Sequence, residues 1–141
     1  AAIEFSPHQV LQNLYKKSIA EVVCEWFEGR NKKAYTLRDF NLGVIQSMNR
    51  KLPSYKLYRS VTPSFDNSSR KKIDAYIGIG SNPKLYYKWL KHTVTNFIPF
   101  SKEENFIFIN AMNEWAEGNH LEPCKKYKNQ FLEATKKALE D

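Results

Sequence analysis

The stretch Asn105-Phe106-Ile107-Phe108-Ile109-Asn110-Ala111-Met112 runs directly into Asn113-Glu114-Trp115-Ala116-Glu117-Gly118-Asn119-His120-Leu121-Glu122-Pro123, and this junction sets the fold expectation. Its first half is short, nearly continuous in apolar residues and dense in β-formers. That is the pattern of a parallel strand buried on both faces. Its second half is polar and reads as the loop that follows the strand. In β/α folds, chemistry gathers on such loops.

Working outward, Tyr55 to Val61 alternates large apolar with basic residues, as a strand does, and Pro63 to Arg70 is polar and turn-rich. Ala75 to Gly80 is again extended. Asn82 or Ser81 caps a helix with Pro83 in its first turn, and Leu85, Tyr86, Trp89 and Leu90 form its apolar face. Phe131, Leu132, Ala134, Thr135 and Leu139 mark a final amphipathic helix. Towards the N-terminus, Thr36 can cap a helix with Leu37, Phe40, Val44, Ile45 and Met48 at helical spacing, ended by Pro53 and weakened by Gly43. Ile19 to Phe27 suits strand or helix, Gly29 to Lys33 a loop, and Ala2 to Phe5 a short strand. The stretch from Gln9 to Lys17 is too mixed to assign. The aromatic pairs Trp26-Phe27 and Tyr86-Tyr87 are expected in the core.

Alternating strand, loop and helix is the α/β pattern. A complete (β/α)8 barrel needs about 250 residues, more than the 141 here. The expectation is therefore a single partial domain over residues 1–141, TIM-barrel-like and made of the later βα units only. Residues of the missing half would then complete the site.

Composition narrows the function. With 42% hydrophobic and 26% charged residues the chain is an ordinary globular one. The net charge of +7 comes from scattered pairs such as Lys16-Lys17 and Lys125-Lys126, without a recognised nucleic-acid motif. A solvated surface explains it, and no nucleic-acid partner is expected. Cys24 and Cys124 match no metal spacing, no histidine–carboxylate cluster suggests a metal, and no cofactor is indicated. Scattered cysteines fit a reducing, cytoplasmic compartment, with association at a membrane surface left open. No apolar run is long enough for a membrane span. Gly78-Ile79-Gly80 lacks the rest of a nucleotide fingerprint.

The loop from Asn113 to Pro123 holds three carboxylates, a tryptophan and a histidine within eleven positions. Glycosidic-bond chemistry needs two carboxyl groups, one protonated to serve the leaving oxygen and one ionised as nucleophile or base. Repulsion between neighbouring carboxylates separates the two roles. Two glutamates three apart would by themselves suit a solvated, helix-capping loop. Their place after the strand, with Asn113 before and Trp115 between, favours a functional pair in Glu114 and Glu117. The earlier loop offers Asp66, Asn67 and Arg70, which could fork onto sugar hydroxyls or a phosphate, or could simply fix the loop through an Asp66–Arg70 pair. Glu4 could face the same mouth, although an ordinary surface role suits it better. His120 could hydrogen-bond a substrate or stay structural.

These residues carry a family resemblance. Ile109-Asn110-Ala111-Met112-Asn113-Glu114-Trp115-Ala116-Glu117-Gly118, continuing to Leu121-Glu122-Pro123, resembles the hallmark motif of the WbsX family, a glycosyltransferase-like family found among polysaccharide-biosynthesis proteins. It is also similar to the Asn-Glu-Trp-His-Glu-Gly of family 99 glycoside hydrolases, endo-acting α-mannosidases. Ala2 to Phe5, Phe65-Asp66-Asn67 with Arg70, and Tyr127 with Phe131 to Ala134 agree in order. By resemblance, Glu117 is the general acid/base, Glu114 deprotonates the neighbouring sugar hydroxyl, and Asn113 and Trp115 shape the sugar site. Met112 stands where the family commonly has Trp. Ala116 replaces the His of the hydrolases, which argues against strict mannosidase specificity and for the WbsX label.

The leading expectation is an enzyme acting on glycosidic bonds in bacterial surface-polysaccharide (lipopolysaccharide O-antigen or capsule) biosynthesis, with an oligosaccharide or polysaccharide substrate and a nucleotide sugar as candidate donor. A non-catalytic carbohydrate-binding or scaffolding module is the competing one.

Overall fold

Asn82 sets the start of the longest helix. Its Oδ1 accepts from the N–H of Leu85 at 3.0 Å, and Pro83 occupies the first turn, where a missing N–H does no harm. The computed structural model describes residues 1–11, 15–27, 35–71 and 73–140. In it this helix, α4, runs Pro83–Asn96 and buries Tyr86, Trp89, Leu90 and Thr93. These lie three or four residues apart, on one face. The last helix, α5 (Gln130–Glu140), packs along α4 with Phe131 and Ala138 inward. Leu139, expected on that apolar face, points to solvent instead.

The Tyr86 ring meets Phe131 edge-on at 5.6 Å, and its hydroxyl lies 3.0 Å from Thr135 Oγ1. Burial pushes the Tyr86 phenol up to about 12. The folded state therefore favours the neutral ring, whereas the unfolded chain ionises it near pH ~10. That stability is fully present below about pH 10 and is lost as pH rises towards the folded value, on the order of 2–3 kcal/mol. Tyr86→Phe should consequently lose less stability than the parent chain across this alkaline window. Denaturant melts at mildly and strongly alkaline pH check it.

The strands are short and mostly parallel. β1 (Ala2–Ile3) pairs with β3 (Leu57–Tyr58), and β4 (Ser60–Val61) with β6 (Phe108–Ile109). The carbonyls of Lys56 and Tyr58 accept from Ala2 and Glu4, while those of Arg59 and Val61 accept from Phe108 and Asn110. Carbonyls alternate sides along an extended chain, so residues 57–61 sit between the other two segments. The expected strand from Tyr55 to Val61 is thus present, shortened to two pieces. The strand expected from Asn105 to Met112 shrinks to β6, and it is not buried on both faces: Phe106 is 53% and Met112 52% exposed. β6 pairs only with β4 among the described residues, and the aromatic rings Phe106, Phe108 and Phe100 gather round Tyr58 at the surface.

The segment Tyr35–Asp39 is β2, parallel to β5 (Ala75–Ile79) from Tyr35↔Ala75 to Asp39↔Ile79. Thr36 and Leu37 therefore lie in a strand, and the helix expected from Thr36 begins only at Phe40. Asp39 caps this helix, α3 (Phe40–Asn49), its Oδ1 accepting from Leu42 N–H at 2.9 Å. A distant strand partner has outweighed local helical spacing. Gly78 on β5 makes the junction possible. A Cβ there would lie 2.8 Å from Phe40 Cδ2 and 3.2 Å from the Phe65 carbonyl. The core is then completed by Phe40, Val44, Val61, Phe65, Trp89 and Leu121.

Two helices precede these elements: α1 (Ser6–Val10) and α2 (Ile19–Phe27). α2 buries none of its residues, and Trp26 and Phe27 are 76% exposed, so this pair is not core. The expected loop from Gly29 to Lys33 lies outside the described residues. The architecture is α/β, and among the described residues the strands do not close into a barrel. No helix of the described residues is long and apolar enough to cross a membrane. Cys24 and Cys124 are both free.

Candidate functional site

The loops after β4 and β6 meet, as their place at the ends of paired parallel strands requires. Asp66 N–H donates to the Glu117 carbonyl at 2.6 Å, Ser69 Oγ to the Ala116 carbonyl at 2.8 Å, and Ser64 Oγ to the Gly118 carbonyl. Beneath them, fully buried Asn119 accepts through Oδ1 from Thr62 Oγ1 at 2.8 Å and from Ala111 N–H at 3.2 Å. The glutamate segment itself is a tight antiparallel hairpin, β7 (Asn113–Glu114) against β8 (Asn119–His120), with a single 3-10 turn at Trp115–Glu117.

Gly118 closes that turn at φ +55°, and a Cβ there would stand 3.1 Å from Asp66 Cβ and 3.2 Å from its carbonyl. Both the left-handed backbone and the close approach call for glycine. Gly118→Ala should lower stability by about 1–3 kcal/mol and displace the Glu117 carboxylate. Thermal melts together with ligand titration would show both effects.

The candidate residues separate into groups. Glu117 and Arg70 form an ion pair across the two loops, with side chains 13% and 54% exposed. The Asp66–Arg70 pair considered from sequence is replaced by this one. Asp66 turns back on its own loop instead, accepting from Ser68 N–H at 2.9 Å. Asn67 is buried and pinned to β5, its Oδ1 accepting from Tyr76 N–H at 2.7 Å. Trp115 stacks on His120 at 3.7 Å and 14°, and its Nε1 donates to Glu122 Oε2 at 2.5 Å. His120 Nδ1 lies 3.0 Å from the Glu122 carbonyl oxygen, to which only an N–H can donate. Asn113 is exposed. Half-buried Glu114 pairs through its backbone with Asn119, while its carboxylate has no hydrogen-bond partner among the described residues.

Glu4 lies apart from the loops and is no ordinary surface residue. Its side chain is 2% exposed, receiving Arg59 Nε at 2.9 Å, Ser60 N–H at 3.1 Å and Arg50 at 3.3 Å.

An open cleft of about 580 Å³ lies beside the stapled loops, lined by Glu117, Arg70 and Asn67, and by Arg38, Lys71 and Tyr76. Glu114 does not line it. Arg38, Lys71 and Tyr76 are not singled out by sequence reasoning. Lys71 is signalled only by adjacency to Arg70, and Arg38 enters through the β2–β5 register that sets it opposite Gly78. The Arg38 guanidinium lies 5.1 Å from the Tyr76 ring centre and Lys71 Nζ 5.7 Å from it. A cleft with cations, an aromatic face and one held carboxylate can grip a polar, partly charged ligand. Among the described residues no three His, Cys, Asp or Glu side chains group as metal ligands.

The profile of the family described as Glycosyltransferase WbsX matches residues 1–135. The chain belongs to the WbsX family. Two curated relatives, each described as "Uncharacterized protein WxcX", come from two strains of Xanthomonas campestris pv. campestris, ATCC 33913 and B100. Each is 32% identical over 148 aligned residues that cover 99% of this chain and 19% of the relative. The chain therefore spans about a fifth of the length of these relatives. No solved structure matches it significantly. The family match takes in β1, the Asp66 loop and the Glu117 hairpin.

Proposed function

We infer that this WbsX-family chain contributes one wall of an active site that makes or breaks a glycosidic bond in bacterial surface-polysaccharide biosynthesis. The observation that carries the reading is the Glu117 carboxylate, held in the wall of a sugar-sized cleft at the ends of parallel strands. Glu117 would exchange a proton with the glycosidic oxygen, once Arg70 has released it. Glu114, on the outer strand of the hairpin, would act on the neighbouring sugar hydroxyl after a shift that brings it to the ligand. Asn67 and Arg70 would hold sugar hydroxyls, with Asn113, Trp115, His120 and Asp66 framing the hairpin side and Glu4 supporting β4 from below. The short parallel strands fit the later βα units of a (β/α)8 barrel, one partial domain over residues 1–141, acting in the cytoplasm on an oligosaccharide with a nucleotide sugar as donor.

A second reading, a non-catalytic carbohydrate-binding module, is favoured by one set of contacts. Glu117 is occupied by Arg70, and Trp115 is occupied by His120 and Glu122. Incubation with bacterial surface oligosaccharides, with and without nucleotide sugars, followed by mass spectrometry, separates the readings. Longer products mark a transferase and shorter ones a hydrolase. Binding with unchanged masses leaves the module.

A further inference from the structure

The charge in the cleft is unbalanced. Arg38, Arg70 and Lys71 line it against a single carboxylate, Glu117. Arg38 Nε is buried and has no hydrogen-bond partner among the described residues. With no acceptor on that N–H the guanidinium charge is left uncompensated, and an anion in the cleft that Arg38 lines would offset it. Arg70 is the member free to exchange partners. It lies more than half in solvent, and its tie is to Glu117. A guanidinium so exposed can trade one oxyanion for another with little desolvation to overcome.

We propose that the cleft takes an anionic group carried by the sugar ligand, a phosphate or a sugar carboxylate, which Arg38 and Lys71 receive and onto which Arg70 transfers from Glu117. Docking of the anion frees the Glu117 carboxylate at the moment a ligand is present, so the ligand's own charge readies the group. The sugar identity of the ligand rests on the function proposed above; the anion subsite stands without it. Tyr76, with Arg38 and Lys71 over its ring, offers an apolar face beside the anion.

The test is calorimetric titration of the 141-residue chain with four probes: mannose 1-phosphate, glucuronic acid, inorganic phosphate and uncharged methyl mannoside. At least one anionic sugar should bind ~10-fold or more tightly than methyl mannoside, and which of the two does so names phosphate or carboxylate as the source. Arg38→Gln and Lys71→Gln should each weaken that binding by ~10–100-fold, the range for a hydrogen bond to a charged group. Glu117→Gln should tighten it several-fold, because Arg70 then has no competing carboxylate. A purely structural Arg70–Glu117 pair would leave anion affinity unmoved or weakened in that variant. Circular dichroism of each variant guards against misfolding, and Lys71, being exposed, is a variant safe for folding. Equal affinity for charged and uncharged sugars, or indifference to both Arg38→Gln and Lys71→Gln, overturns the subsite. Inorganic phosphate binding that depends on Arg38, with no sugar binding more tightly, keeps the subsite and removes the carbohydrate reading.

Discussion

Glu117→Gln should lower turnover of a surface oligosaccharide by about 10²–10⁴-fold, the usual worth of a positioned acid/base group. Affinity for the glycan should not fall, since the amide keeps the shape of the side chain. The prediction separates chemistry from architecture. Beside the Glu117–Arg70 ion pair, the Ala116, Glu117 and Gly118 carbonyls staple the hairpin to the Asp66 loop. Losing the charge should therefore leave the loops where they are. If Glu117 were only the anchor of Arg70, Glu117→Gln and Arg70→Gln would look alike, with turnover intact in both. Mass spectrometry of products from parent and variant, beside a binding titration, decides between them, and undiminished turnover in Glu117→Gln would end the catalytic assignment.

Glu4→Ala is expected to give the largest loss of stability, about 3–5 kcal/mol. The Glu4 carboxylate is buried under β3 and β4, where Arg59 is itself 9% exposed and also donates to the Ser47 carbonyl at 2.9 Å. Removing the acid strands a buried guanidinium and leaves the Ser60 N–H without an acceptor. For a chain of this size the melting temperature should fall by about 10–15 °C. Glu4→Gln should fall less, because an amide oxygen still accepts from Ser60. The same variants examine a ligand role for Glu4. Weakened glycan binding at an unchanged melting temperature would place Glu4 in the sugar site and refute the structural account.

What could be read from the residues was local chemistry. Asn82 and Pro83 announce α4 because a cap and a first-turn proline act within one turn. The polar run from Pro63 to Arg70 is a loop for the same kind of reason. Partner choice was not legible. Thr36 looks as good a cap as Asp39 until β2 finds β5, and only that pairing decides which residue begins the helix. Arg70 sits four residues from Asp66, so sequence suggests that pair, yet the fold brings the Glu117 side chain to it instead. Glu4 looks like any surface acid in the sequence because its two arginines lie far along the chain. Trp26 and Phe27 mislead in the other direction, since apolar character requires a covering surface and α2 meets none among the described residues. In the site, the motif pointed to the hairpin, while Arg38, Lys71 and Tyr76 came from elements that carry no motif.

The staple has a consequence for how the site can diversify. Position 116 is tied down through its carbonyl oxygen, while its own side chain is exposed. The chain can trade side chains there without disturbing the carboxylate next door. The scaffold at 116 rests on its backbone and not on its side chain, so substitutions can accumulate there while the hairpin keeps its place.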